Sequence, residues 1–145
     1  MTDLPFETTL HVRDHCLCLH AQRAARALAR RFDEAFRPLG LTSGQFSLMM
    51  SLNRPEPPSL GSVASLLAMD RTTLTAALKP LARRGLLKVT VDEEDRRGRR
   101  LALTAKGRTL LARATPIWET MHAELDAQLD DPETVRQGLR ALTAS

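Results

Sequence analysis

The sequence predicts a mainly α-helical chain carrying one small β-hairpin. Apolar residues recur at steps of three and four through long segments near both ends, a spacing that gathers them on one side of a helix. A single stretch, Leu87 to Leu103, instead alternates apolar with polar residues around a run of charge, as the strands of a hairpin do. Ser, Thr and Asp residues stand just ahead of the helical segments, where a side-chain oxygen can accept from the free N–H groups of a first turn.

The first long helix is marked by Leu17, Ala21, Ala24, Leu28, Phe32, Ala35 and Leu39 on one side, with Arg23, Arg26, Arg30, Asp33 and Arg37 on the other. It should end near Pro38 and Gly40. Thr42 and Gln45 then have the spacing of a capping box, with Leu41 placed to pack on Phe46, so a second helix begins there and carries Phe46, Met49, Met50 and Leu52. Pro55, Pro57 and Pro58 stop it. Ser59 caps a short third helix through Val63, Ala64 and Leu67, and Asp70 caps a fourth that starts at Arg71. Only Ala68 and Met69 separate these two, the tight joint of a helix-turn-helix.

In the fourth helix Leu74, Ala77, Leu78 and Leu81 form the buried stripe, which leaves Arg71, Thr72, Thr73, Thr75, Ala76 and Lys79 facing outward. Pro80 removes a donor and crowds the carbonyl of Ala76, so a bend is expected. Gly85 suits a left-handed helix end. Leu87, Val89 and Val91, then Leu101 and Leu103, point to one side of two strands joined by the polar segment Asp92 to Gly98. A hairpin after a helix-turn-helix is a wing.

Thr104 caps a further helix with the stripe Leu110, Leu111, Ala114, Trp118, Met121, Leu125 and Leu129, which Pro116 should kink or divide. Asp131-Pro132 opens a last helix through Val135, Leu139 and Leu142. The chain therefore divides as one domain over 1–145, a winged helix-turn-helix module at 42–103, and flanking helices at 10–40 and 104–145.

With 43% hydrophobic and 26% charged residues the 145-residue chain has the composition of one folded domain. No apolar run approaches a membrane span, and Met1 to Leu10 lack a basic start leading into an apolar stretch, so a cytoplasmic protein is expected. The net charge is +4, but Arg71 to Arg108 hold eleven Lys and Arg against four Asp and Glu, a surplus of seven that leaves the remainder at −3. A basic region on an acidic body is the footprint of a polyanion-binding surface.

Leu41-Thr42 with Gln45, the run Leu81-Ala82-Arg83-Arg84-Gly85-Leu86, and Asp95-Arg96-Arg97 followed by Leu103-Thr104 and Gly107 together resemble the MarR (multiple antibiotic resistance regulator) family of bacterial transcription factors. The likeness covers nearly the whole chain, and the wing-tip match is its most specific part. The resemblance implies a homodimer in which the first and last helices of two chains interlock. Three long stripes and Trp118 offer more apolar surface than one small module covers, which fits. It also implies a double-stranded DNA partner with a pseudo-palindromic operator, transcriptional repression, and a cavity taking a small aromatic effector. Phe46, Met49 and Met50 are candidates to line that cavity, against a plain core role.

For the DNA contact, Arg71, Thr72 and Thr73 open the reading helix, Thr75 and Ala76 lie one turn on, and Lys79 follows. Arginine takes guanine or phosphate; threonine hydroxyls reach bases or phosphates while their methyls suit thymine. On the wing, Arg97 is placed for the minor groove, with Arg99 beside it and Asp95 expected to pair with the Arg97 guanidinium and limit its rotamers.

Cys16 and Cys18 admit a thiol-oxidation sensor as an alternative. Two residues apart on a helix they point to different sides, and the chain has no tyrosine to activate a thiol as in the oxidation-sensing branch it resembles. His20, one turn after Cys16, could lower its pKa. His11, His15, Cys16 and His20 lack a metal-binding motif, so neither metal nor cofactor is expected. An enzyme is disfavoured because phosphate-loop and nucleophile-elbow motifs are missing. A winged module that binds protein without DNA would not need arginines at its wing tip.

Overall fold

The five side chains expected to cap helices do so. Thr42 accepts from the N–H of Gln45 at 3.1 Å while the Gln45 side chain accepts from the N–H of Thr42 at 3.1 Å, a complete capping box. Ser59, Asp70, Thr104 and Asp131 accept in the same way from Ser62, Thr73, Gly107 and Thr134. In this computed structural model, which describes residues 2–144, the helices are Phe6–His15 (α1), Leu17–Phe36 (α2), Ser43–Ser51 (α3), Leu60–Leu66 (α4), Arg71–Arg83 (α5), Ala105–Ala127 (α6) and Pro132–Thr143 (α7). The strands are Leu87–Val91 (β1) and Arg99–Leu103 (β2). Asp33 of α2 adds a second acceptor at the start of α3, 2.6 Å from the N–H of Ser43.

Three departures from the sequence expectation have identifiable causes. The N-terminal helical region is two helices, broken at Cys16, whose backbone is extended and whose Sγ accepts from the N–H of Leu19 at 3.4 Å. Periodicity shows the second of these plainly but not α1, which lacks a buried residue. Pro116 does not divide its helix, and the bend expected at Pro80 leaves its helix unbroken too: α5 runs through Pro80 and α6 through Pro116 as single elements. Beside Pro116 the Thr115 hydroxyl donates to the Leu111 carbonyl at 2.9 Å, and the flanking turns of a long helix hold the gap open. Finally, Val89 and Val91 are exposed although the alternation of β1 placed them with Leu87, because the hairpin extends beyond the body that covers Leu87.

The core lies where α2, α3 and α6 meet the winged module. Phe36, Met49, Val63, Leu74, Leu81, Leu86 and Leu101 are the large side chains most completely enclosed. Phe36 stacks on Phe46 with ring centroids 4.8 Å apart. The predicted stripe of α2 is only partly used: Phe32 is buried, whereas Leu17 and Leu28 remain exposed, and Phe36, outside that stripe, is fully buried. The apolar faces of α1, the first half of α2 and α7 stay exposed.

Strands β1 and β2 pair antiparallel with Leu87 opposite Leu103, Val89 opposite Leu101 and Val91 opposite Arg99. Ser59 bridges to Arg100, and the N–H of Leu101 donates to the Pro58 carbonyl at 3.0 Å, so the segment leading into α4 is tied to β2 by an isolated bridge. This fixes the root of the hairpin to the helix-turn-helix.

Candidate nucleic-acid interface

The reading helix is set by Asp70. Its Oδ1 accepts from the N–H of Thr73 at 2.7 Å and its Oδ2 accepts from the Thr73 hydroxyl at 2.8 Å. The backbone and hydroxyl hydrogen bonds from Thr73 hold the Asp70 carboxyl below the usual carboxylate range. Ala68 takes the left-handed conformation, φ 52°, and so lets the chain reverse within the three residues between α4 and the cap. Leu74, Leu78 and Leu81 are buried, while Arg71, Thr72, Thr73, Thr75, Ala76 and Lys79 are all exposed as the sequence predicts. The Thr73 hydroxyl is occupied with its cap, which leaves Thr72 and Thr75 as the hydroxyls free to meet a ligand.

Arg71 lies back across α4. A Cβ at Gly61 would come within 2.9 Å of its Nη2, so the glycine provides the notch in which the guanidinium rests. Thr75 and Lys79 of α5 face Arg99 and Val89 of the hairpin across a cleft of about 210 Å³. The reading helix and the hairpin that follows it therefore present polar and cationic groups to one opening.

At the wing tip the expected Asp95–Arg97 side-chain pair does not form. Asp95 Oδ1 instead accepts from the backbone N–H of Arg97 at 3.1 Å, and the N–H of Gly98 donates to the Asp95 carbonyl at 2.8 Å. A carboxylate two residues ahead of an N–H closes a local turn more readily than it catches a mobile guanidinium. Arg97 itself is exposed. The carboxylate–guanidinium pair of the wing lies elsewhere, between Asp92 Oδ2 and Arg100 Nε at 3.0 Å, a pair that alternation and charge counts do not reveal. Arg99 donates from Nη1 to the carbonyls of Arg96 and Gly98.

Part of the basic surplus serves the fold. Arg84 donates to the Gly40 carbonyl at 2.7 Å, Lys106 to the Arg84 carbonyl at 2.8 Å, and Arg108 to the Leu103 carbonyl at 3.0 Å. The Leu-Thr-x-x-Gly motif has a similar role. Thr104 donates its hydroxyl to the Gly85 carbonyl at 2.6 Å and accepts from Gly107, and a Cβ at Gly107 would collide with the Leu86 carbonyl oxygen.

Behind the reading helix an apolar cavity of about 510 Å³ opens between α3, the end of α4 and α6, lined by Phe46, Met50, Leu66, Leu67, Trp118 and the hydroxyl-bearing Ser47, Ser51 and Thr115. Phe46 and Met50 thus line a cavity, whereas Met49 is sealed in the core. Trp118 is 36% exposed at the cavity wall and stands 4.6 Å from the ring of His122.

Cys16 is half-buried and Cys18 exposed; both are free thiols. The Cys18 Sγ accepts from Gln22 at 3.3 Å. His20 bonds the backbone of Cys16 and not its thiol: its Nδ1 donates to the Cys16 carbonyl at 2.8 Å, while the thiol accepts from the N–H of Leu19. His15 Nδ1 likewise meets the His11 carbonyl, and the rings of His11 and His15 stack 4.3 Å apart. The His15 and His20 rings are thus each engaged by the backbone one turn before them. Among the described residues no helix is long and apolar enough to cross a membrane.

Comparison with known proteins agrees with this architecture. The sequence model of the MarR family matches residues 41–98, from the start of α3 to the wing tip. The M. tuberculosis transcriptional regulator MosR, in complex with DNA, is similar at a TM-score of 0.83 and 37% identity, covering 89% of this chain and 94% of that one. A structure of the transcriptional repressor CouR bound to a 23-mer DNA duplex is similar at a TM-score of 0.74 and 29% identity, covering 97% and 96%. The regulator SarZ of Staphylococcus saprophyticus is 21% identical over 124 residues, 86% of this chain and 85% of SarZ. With the capped helix-turn-helix, the hairpin rooted on it and this extent of identity to a regulator of the same fold, the chain belongs to the MarR family of transcriptional regulators.

Proposed function

We propose that this chain is a cytoplasmic, non-catalytic repressor that binds a pseudo-palindromic operator in duplex DNA as a homodimer. The observation that carries the proposal is the cleft in which Thr75 and Lys79 of the reading helix face Arg99 of the wing, beside exposed Arg71, Thr72 and Ala76. In such a module the helix enters the major groove while the wing follows the backbone into the minor groove. MosR and CouR, the relatives described above, were each captured on DNA. Two symmetric reading helices require half-sites about one helical turn, roughly 10 base pairs, apart.

Selection of bound fragments from genomic DNA, followed by titration at 50 and 200 mM salt, tests the proposal. Affinity should fall steeply with salt, since each neutralised phosphate releases counterions. Binding that is unchanged by salt, or a failure to enrich any fragment, overturns it. The effector belongs to the apolar cavity beside Trp118, whose lining suits an aromatic ring. A ligand there bears on α3 and α4, the helices that brace the reading helix.

A second reading, oxidation sensing at Cys16 with Cys18 close by, has one observation in its favour: Cys16 sits outside the helix, at the break between α1 and α2, so the helical argument against a pair with Cys18 does not apply. Mild peroxide should then release wild-type protein from DNA and leave Cys16→Ser bound. Equal behaviour leaves Cys16 as a helix cap.

A further inference from the structure

We propose that Asp92 and Arg100 form a brace that sets the angle of the wing to the reading helix, which makes them positioning residues for DNA binding rather than contacts to DNA. The inference rests on the DNA-binding function proposed above. A two-stranded hairpin is marginally stable alone, and this one carries Glu93, Glu94, Arg96 and Arg97 at its tip, charges that cannot hold it against the body. Its orientation must come from its root.

Four contacts meet there. Arg100 donates from Nε to Asp92 Oδ2 at 3.0 Å and from Nη1 to the Pro57 carbonyl at 3.2 Å. Asp92 Oδ1 accepts from the N–H of Glu94 at 3.0 Å, and the N–H of Asp92 donates to the Gly98 carbonyl at 3.1 Å. One guanidinium therefore joins the end of β1, the start of β2 and the segment before α4. That segment is stiff, because Pro57 and Pro58 have fixed φ, and it ends in Ser59, the cap of α4.

The Asp92 side chain is only 13% exposed, unlike the surrounding acids of the tip, and its charge is directed inward to Arg100. The geometry also uses the arginine's shape. Nε and Nη1 reach two acceptors on different segments at once, Asp92 just past β1 and Pro57 before α4, which a single ammonium cannot do from one position.

Simple electrostatics and the brace make opposite predictions. Asp92→Asn makes the protein more basic by one charge, so diffuse attraction would tighten binding, whereas a loosened wing weakens it. Operator affinity of the full-length protein should fall about tenfold for Asp92→Asn and for Arg100→Lys, a change within the range expected when one partner of a coupled pair is lost. The double variant should bind no worse than the weaker single one. In the Asp92→Asn background Arg97→Ala should cost less affinity than in wild type, because a wing that is not aimed gains little from its tip arginine. All affinities are read well below the melting temperature, with far-UV circular dichroism confirming the folded state, so that loss of aim and loss of fold are separated. Asp92→Asn binding as tightly as wild type, additive effects in the double variant, or an undiminished Arg97→Ala loss overturns the brace and leaves DNA binding intact. Wild-type protein that binds no operator fails the proposed function instead.

Discussion

Asp70 shows how much one residue settles in this fold: it ends the turn of the helix-turn-helix, closes two donors of Thr73 and so fixes where the reading helix begins. Its carboxyl, with those of Asp131 and Glu133, is held below the ordinary carboxylate range, Asp70 by the bonds from Thr73, Asp131 by the Thr134 hydroxyl and Glu133 by Arg140. A folded-state pKa below the unfolded one means that the stabilisation is complete above the unfolded value and disappears as pH falls through the folded value. The melting temperature should therefore decline as pH drops below about 4, and Asp70→Asn should flatten that decline. A melting temperature level from pH 6 to pH 3 would refute this. At the wing tip, Asp95 holds the turn through the Arg97 N–H, so Asp95→Asn, which keeps an acceptor oxygen, should bind operator at least as well as wild type. Asp95→Ala should weaken binding despite its added positive charge. Fluorescence anisotropy with labelled operator distinguishes the pair, and equal affinities would remove Asp95 from the wing's geometry. Arg97→Ala should cost about 1–3 kcal/mol of operator binding, measured the same way.

Among the elements, the joint between the wing and α6 is the least tolerant. Thr104 bonds both back to Gly85 and forward to Gly107, while Gly107 brings α6 against the backbone of Leu86. The neighbour in the way of a Cβ is a carbonyl oxygen and not the end of a flexible side chain, so Gly107→Ala must displace a helix. It should destabilise the protein by about 1–3 kcal/mol or more in a denaturant titration, even though alanine favours a helix. A midpoint equal to that of wild type would mean that α6 shifts freely. The prolines behave in the opposite way. Pro80 and Pro116 break a local rule but not their helices, because each has leucines before and after it buried in the common core.

On the scale of the whole molecule, the conspicuous feature is apolar surface without a cover. Phe6 and Val12 of α1, Leu17 and Leu28 of α2, and Val135, Leu139 and Leu142 of α7 are exposed, and α7 keeps a strongly one-sided pattern with no residue buried. A helix whose apolar face is unburied within its own chain finds its partner in another copy. Light scattering should give twice 16.1 kDa. Leu139→Glu should shift the protein toward monomer and weaken operator binding, since half-sites are then no longer held together. Monomeric wild-type protein with full DNA affinity would sink the dimer.

Local chemistry was sufficient to determine the helices from α2 onward, the caps of the last five, the hairpin and the outward face of the reading helix. Each depends on residues within one or two turns of one another, as with Thr42 and Gln45 or Asp70 and Thr73. Element order then identified the hairpin as a wing and the basic surplus pointed to a polyanion, which the family resemblance specified as duplex DNA bound by a transcriptional regulator. Tertiary structure decided which charges face a ligand and which hold the fold. Arg84, Arg100, Lys106 and Arg108 look like the other basic residues in sequence, yet each bonds a backbone carbonyl, three of them across 22 residues or more. Tertiary structure also moved the wing's ion pair from Asp95 and Arg97 to Asp92 and Arg100, and it buried Phe36 and Met49 while leaving Leu28 and Met50 exposed. The physical reason is common to all of these. Periodicity identifies a face of a helix or strand, but the partner of that face is set by contacts between segments distant in sequence.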